Sequence, residues 1–368
     1  MVSAPRFSIL LPTHNRPDVI GYAIQSVLRQ SEPDFELLVV GDGAVAGTED
    51  VVRSFDDARI RWFGFPKAPA FGYANRNLAL TEARGRFIAH MSDDDLMLPD
   101  HLELMGGAFA DPAVQWAYAQ ALWVSADGIA GPDLTNLSHA DERDYFLRQN
   151  NTISAGVFVY RNGAFGGTPP WPESLPEAGD WEMMKQLLVR HGTAGMARLG
   201  EPTLLHFKAK WKDGRDSRFP LLRAWLDIAD RAAWWPGELR APLQPDQPPQ
   251  ARYAQRLAEP GSAQRLRRAA ADATARVALD RLVPRVVAET EAQQVAALRT
   301  LLEAADADRS VLRTQWEAAQ THQSAREAGL RGEVERLGPQ VQALRGSTSW
   351  RLTGPLRALG RLLRGRKP

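Results

Sequence analysis

The chain has 368 residues, 44% hydrophobic and 24% charged, with a formal net charge of +1 at neutral pH, no cysteine and seven scattered histidines. Its length allows a full core in two domains, or one domain with a long appendage, and its composition is that of a soluble protein. It excludes disulfides, thiolate nucleophiles and Cys-based zinc sites, and no apolar run approaches the ~20 residues that cross a bilayer.

The N-terminus enters a strand-like segment without the long apolar core of a signal peptide, so the expected location is cytoplasmic. From residue 6 to about 118, short apolar runs alternate with amphipathic stretches: RFSILLP, DVIGYAIQSVLRQ, FELLVVG, TEDVVRSF, IRWFGF, GYANRNLALTEA, RFIAHM and PDHLELMGGAF. Continuous apolar strands between such helices predict a mainly parallel sheet covered on both faces. Ligands of open sheets bind beyond the carboxyl ends of the strands. The polar residues that follow the strands are therefore the informative ones: Thr13, Asn15 and Arg16, then Asp42, then Asp93, Asp94 and Asp95.

Residues 114–207 are less regular but are expected to complete the same domain, 1–215. VQWAYAQALWVS, SAGVFVYR and PTLLHF read as strands, WEMMKQLLVRHG as a helix, and FGGTPPWPESLPEAGD as a loop. Residues 216–290 read as a helical extension, with a Pro-rich linker at 242–250. In 291–345, Val295, Leu298, Leu302, Ala305, Arg309, Leu312, Trp316 and Ala319 alternate steps of three and four, the spacing of an oligomerising coiled coil. The seam weakens at Gln323 and Arg326, resumes in shifted phase through Leu330, Val334 and Leu337, and is interrupted at Gly338 and Pro339. The tail, 346–368, has no acidic residue. It would place Leu352, Leu356, Leu359 and Leu363 on one helical side and Arg357, Arg361 and Arg364 on the other, a pattern suited to an anionic membrane surface. It has no recognisable nucleic-acid module, and nucleic acid is not an expected partner.

Over residues 5–210 the order of these segments resembles the family-2 glycosyltransferases with a GT-A fold. SILLPTHNRPDVIGYAIQSVLRQ is similar to their first strand, loop and helix, and ELLVVGDGAVAGTEDVV to their second strand, acidic turn and helix. GYANRNLALTEARGRFIAHMSDDDLMLPDHLE resembles the stretch from the diphosphate-contacting arginine to the metal-binding aspartates. The chain departs from the common pattern at Gly41, Ser92 and Gly179, where many relatives have acids.

The resemblance implies a nucleoside-diphosphate sugar as donor, held by Thr13, Asn15, Arg16, Asp42, Arg76 and Asp93. Asp42 would accept ring or amino protons of the base; its bland alternative is an Asp-Gly turn. A divalent cation, Mn²⁺ or Mg²⁺, would be held by Asp94 with His206, since a departing diphosphate needs its growing charge compensated and oxygen ligands favour those ions over zinc. Asp93 and Asp95 are the alternative metal ligands, and Asp95 is also a candidate cap for the loop that follows. Asp180, at the start of a helix, is the candidate base for the attacking hydroxyl, with Glu177 as substitute and a helix N-cap as the bland reading.

Together these residues predict an inverting, metal-dependent glycosyltransferase acting on a cell-surface glycan or lipid-linked precursor, peripheral at the inner face of the plasma membrane. The rival reading, suggested by the missing acids, is a catalytically silent sugar-nucleotide-binding scaffold that oligomerises through its coiled coil.

Overall fold

The structure, a computed structural model, describes residues 4–125, 128–209, 227–229, 231–241, 247–279, 292–347 and 353. The chain divides into two compact units, Met1–Leu282 and Val283–Pro368.

In the first unit, the apolar runs become strands. Strands β1 (Phe7–Thr13), β2 (Phe35–Asp42), β3 (Ile60–Phe65) and β4 (Phe87–His90) pair in parallel in the order β3-β2-β1-β4. β1, β2 and β4 are buried on both faces, and the edge strand β3 is half-exposed. Every residue of β2 is buried, as expected of a strand inside a sheet with helices on both sides. The amphipathic runs form α1 (Ile20–Leu28), α2 (Ala46–Arg53), α3 (Tyr73–Leu80) and, after the short strand β5 (Leu96–Met97), α4 (His101–Gly107). Ile20, Ala23, Ile24 and Val27 of α1 are buried at the three- and four-residue spacing of one helical face.

The second half of the sheet is mixed. Beyond β4 come β8 (Phe158–Arg161), β6 (Trp116–Ser125), β9 (Met196–Ala209) and β5, with β7 (Ala130–Pro132) paired to β6. β8 runs antiparallel to β4 and β6, whereas β9 runs parallel to β6. Helices α5 (Ala140–Arg148) and α6 (Gly179–His191) fall between these strands; α5 and the short β5 and β7 have no counterpart among the sequence expectations. The α/β sheet followed by a helical C-terminal region is the expected fold class.

Helices α7 (Pro249–Leu257) and α8 (Ser262–Val277) belong to the same compact unit as the sheet. The Tyr253 hydroxyl donates to the Gly128 carbonyl at 3.0 Å, and Arg267 grips Asp100 through two hydrogen bonds of 2.6 and 2.7 Å. The end of the Pro-rich stretch is thus the first turn of a helix, where the missing N–H of Pro249 costs nothing; residues 242–246 lie outside the described residues.

The second unit contains α9 (Ala292–Gly346), 55 residues long, with Leu302, Leu312, Trp316, Leu330 and Val334 exposed. Pro339 lies inside it, so the expected interruption at 338–339 does not end the helix: a proline removes one backbone hydrogen bond and leaves those of the neighbouring turns. The amphipathic tail lies outside the described residues, apart from 346, 347 and 353. Among the described residues, no helix is long and apolar enough to cross a membrane.

Candidate active site

The carboxyl ends of β1, β2 and β4 bring together the residues singled out in the sequence. Thr13, the last residue of β1, is buried and donates its hydroxyl to Asp93 at 2.8 Å. Asn15 has a positive φ of 54° and accepts the Val45 N–H at 2.8 Å, tying the first loop to the turn before α2. Asn tolerates that backbone region better than most residues.

Asp42 ends β2 as a hub. Its Oδ1 accepts from Ala68 N–H at 2.8 Å and Asn75 Nδ2 at 2.7 Å, and its Oδ2 pairs with Lys67. Burial alone would raise its pKa; the hydrogen bonds from Ala68, Lys67 and Asn75 outweigh burial and hold it below the usual value. Asp42 therefore organises the 66–72 loop. Neither Lys67 nor this loop is marked by the sequence motifs.

The three consecutive aspartates separate into three environments. Asp93 meets Thr13, Asp94 receives Arg16 Nη2 at 2.9 Å, and fully buried Asp95 accepts from His206 Nδ1 at 2.9 Å and Phe207 N–H at 3.1 Å. Asp95 thus anchors β9 rather than capping the loop after it. Its carboxylate makes Nδ1 the protonated nitrogen of His206, whose ring stands edge-on to Trp123 with centroids 4.4 Å apart. Gln250 of α7 donates to the Asp94 carbonyl at 2.9 Å, a contact across 156 positions that no local signal announces.

Among the described residues, no three His, Asp or Glu side chains are grouped to hold a metal ion. The chemistry of the donor set still fits one shared with a substrate. Asp94 offers a buried carboxylate oxygen on which a guanidinium is already seated, and a hard cation held partly by phosphates needs only one or two carboxylates.

Beside these acids lies a cleft of about 480 Å³ whose lining includes Arg76, Ser92, Trp171, Glu177, Asp180 and His206. The Arg76 guanidinium carbon stands 4.3 Å from the Trp171 ring centroid and 5.2 Å from that of Tyr73, and these two rings lie nearly parallel. Its Nε has no hydrogen-bond partner among the described residues. Burial lowers the Arg76 pKa, opposed by Tyr73, Asp180, Asp42 and Asp93. Asn77 fixes the Trp171 segment from behind: its side chain accepts Trp171 N–H at 3.0 Å and donates to Trp171 O at 2.8 Å.

Asp180 is the second residue of α6 and not its N-cap, which is Ala178 in a left-handed conformation with φ 59°. The bland capping reading is corrected accordingly: Asp180 lies inside the first turn, where the nearby Trp181 N–H favours its charged form. Asn151 donates to its Oδ2 at 3.1 Å. Burial raises the Asp180 pKa; the Trp181 N–H and the charge of Arg76 pull the other way without prevailing. Glu177 is exposed on the same cleft.

Two of the departures from the common pattern have a steric cause. A Cβ at Gly41 would lie 2.5 Å from the Trp62 ring, and one at Gly179 would lie 2.6 Å from the Tyr73 ring. At both places an aromatic side chain fills the space that an acid would take. Ser92 lines the cleft.

The mixed α/β sheet thus gathers acids, an arginine and a cleft at its carboxyl edge. Residues 8–166 match the family model described as glycosyl transferase family 2. The chain is 32% identical over 124 residues to the Escherichia coli UDP-Glc:alpha-D-GlcNAc-diphosphoundecaprenol beta-1,3-glucosyltransferase WfgD, covering 34% of this chain and 49% of that protein. Over 101 residues it is 35% identical to the putative teichuronic acid biosynthesis glycosyltransferase TuaG of Bacillus subtilis, covering 27% and 40%. The chain thus spans half or less of the length of these relatives. Among solved structures, the Pyrobaculum calidifontis mannosyltransferase PcManGT in complex with GDP-Man and Mn²⁺ superposes with a TM-score of 0.41 at 17% identity, over 83% of this chain and 81% of that one. Staphylococcus aureus TarS 1–349 gives 0.44 at 18% identity, over 55% and 61%.

Proposed function

We propose that the chain transfers a sugar from a nucleoside-diphosphate sugar to a hydroxyl of a cell-surface glycan or its lipid-linked precursor, with inversion at the anomeric carbon. The observation that carries this reading is the placement of Arg76. A guanidinium packed against both Trp171 and Tyr73, with an unpartnered Nε, lines the same cleft as Asp180. It offers N–H donors to a diphosphate, while a carboxylate with a raised pKa is available to an incoming hydroxyl.

In this reading Asp42, Thr13 and Asn15 hold the base and ribose side of the donor, and Asp93 fixes Thr13. Arg76 binds the diphosphate and stabilises its charge as the glycosidic C–O bond breaks. The acceptor oxygen forms the new bond from the opposite face, and Asp180 takes its proton, oriented by Asn151. A single displacement needs one base and yields inversion. Asp94, with His206 oriented by Asp95, would hold Mn²⁺ or Mg²⁺, which when bound supplies Lewis-acid compensation of the leaving diphosphate.

The acceptor class is supported by the WfgD relative, a glucosyltransferase named for a diphosphoundecaprenol-linked sugar. Peripheral attachment through the 346–368 tail fits such an acceptor: arginines alternate there with leucines, and the binding should weaken with salt. The exposed heptad residues of α9 support self-association as a coiled coil. The silent-scaffold rival loses part of its motive, since Trp62 and Tyr73 account for the glycines at 41 and 179. Release of nucleoside diphosphate from UDP- and GDP-sugars by the full chain, reduced ~10²–10⁴-fold in Asp180→Asn, tests the proposal; donor binding without any release would favour the scaffold.

A further inference from the structure

The carboxylate read here as the cation holder already carries a cation. Arg16 Nη2 lies 2.9 Å from Asp94 Oδ2, and the side-chain exposures are 38% for the arginine and 8% for the aspartate. A buried carboxylate without a counter-charge is strongly disfavoured, so Asp94 requires a positive partner whether or not a donor is bound. We propose that Arg16 is the stand-in cation of the donor-free chain, and that a divalent metal arriving with a nucleoside diphosphate displaces its guanidinium from Asp94 onto the diphosphate. The proposal rests on the reading of Asp94 as metal ligand.

Three features support an exchange rather than a permanent pair. Arg16 is anchored by its backbone and not by its side chain: its carbonyl accepts the N–H groups of Val19 and Ile20 at 3.3 and 3.1 Å, at the start of α1. The guanidinium can therefore swing about a fixed main chain. Its greater exposure lets it leave Asp94 without being desolvated further. The Asp94 carbonyl, in contrast, is held by Gln250 and its neighbour Asp93 by Thr13, so the acceptor of the exchange stays in place.

Before binding, the Arg16 guanidinium pairs with the Asp94 carboxylate. With donor present, Asp94 would be free to help hold a divalent cation, and the guanidinium would pair with the diphosphate. Only ionic contacts change, with no covalent bond and no proton transfer. Metal and nucleotide then bind with positive coupling, because metal alone must displace Arg16 into water whereas metal with nucleotide gives it a new anion.

The test is Mn²⁺ binding by the full chain, read from the electron-paramagnetic signal of free Mn²⁺, alone and with UDP or GDP. Arg16→Met should bind Mn²⁺ alone roughly tenfold more tightly than the parent, since a competing charge-assisted contact is gone, and bind the metal-nucleotide pair more weakly. Arg16→Lys, which keeps the charge, should stay near the parent in Mn²⁺ alone. Equal or weaker Mn²⁺ binding in Arg16→Met overturns the exchange, as does a Lys variant that behaves like Met. Unchanged Mn²⁺ binding in Asp94→Asn instead overturns the underlying assignment of Asp94.

Discussion

Gly179 lies against the ring of Tyr73: a Cβ on it would stand 2.6 Å from the ring, and its N–H donates to the Tyr73 hydroxyl at 2.9 Å. The start of α6, which carries Asp180, is thereby fastened to the start of α3, which carries Arg76. Gly179→Ala should push these helix ends apart and cost about 1–3 kcal/mol, the usual range for overpacking. Tyr73→Phe should cost about 1 kcal/mol for the lost hydrogen bond. Denaturant unfolding measures both, and an alanine variant as stable as the parent would show that the contact relaxes freely.

Asp180→Asn separates chemistry from structure. An amide still accepts the first-turn N–H groups but takes no proton from a hydroxyl near neutral pH, and base catalysis typically contributes ~10²–10⁴-fold. Transfer should fall by that factor with nucleotide affinity retained. Because burial raises the Asp180 pKa, folding favours its protonated form, so its stabilising contribution is full at low pH and is lost as pH rises through the raised value. At neutral pH the Asn variant should therefore melt no lower than the parent. In the parent, the acid limb of the pH–rate profile should lie above the ordinary carboxylate range. Near-parental turnover in Asp180→Asn would move the search to Glu177.

Arg76→Ala removes the guanidinium packed against Trp171 and Tyr73. Affinity for a nucleoside diphosphate should drop by about tenfold or more, as for other lost charge-assisted contacts, while affinity for the nucleoside alone stays unchanged. Titration calorimetry with UDP against uridine, and GDP against guanosine, distinguishes a diphosphate contact from general damage, which would weaken both.

Asp133 gives a pH signature outside the cleft. Burial pushes its pKa up to about 6, against the hydrogen bonds it accepts from the Thr135 N–H and hydroxyl. Folding thus favours the protonated acid: this stabilisation is full below the unfolded value of about 4 and is lost as pH rises through about 6. Asp133→Asn should flatten the fall in melting temperature between about pH 4 and 6. An identical slope in parent and variant would refute this.

The sequence shows most clearly what is local. Strands β1 to β4 are continuous apolar runs, and Thr13, Asp42 and the aspartates follow them directly, so topology alone brings them to one edge. Contacts across long separations were not legible. Asn77 reaches Trp171 across 94 positions and Gln250 reaches Asp94 across 156. Tyr73 and Trp171 read as ordinary apolar residues, although Arg76 packs against both. The division of labour among Asp93, Asp94 and Asp95 was equally hidden, because identical neighbours acquire different partners only through β1, β9 and the 14–19 turn.

Self-association of α9 is tested by mass. Leu302, Leu312 and Trp316 are exposed along the heptad seam, and replacing all three with Gln should lower the mass in sedimentation equilibrium while donor binding persists. A parent that sediments as a monomer would remove the coiled coil from the picture.

The most direct measurement is transfer itself: release of nucleoside diphosphate by the full chain from a panel of UDP- and GDP-sugars, with Mn²⁺ and a lipid-diphosphate-linked sugar acceptor. Acceptor-dependent release from at least one donor is expected, with product of inverted anomeric configuration, falling by ~10²–10⁴-fold in Asp180→Asn. Donor binding with no release in the parent, or equal release in parent and Asp180→Asn, would contradict the assignment of this cleft as the active site.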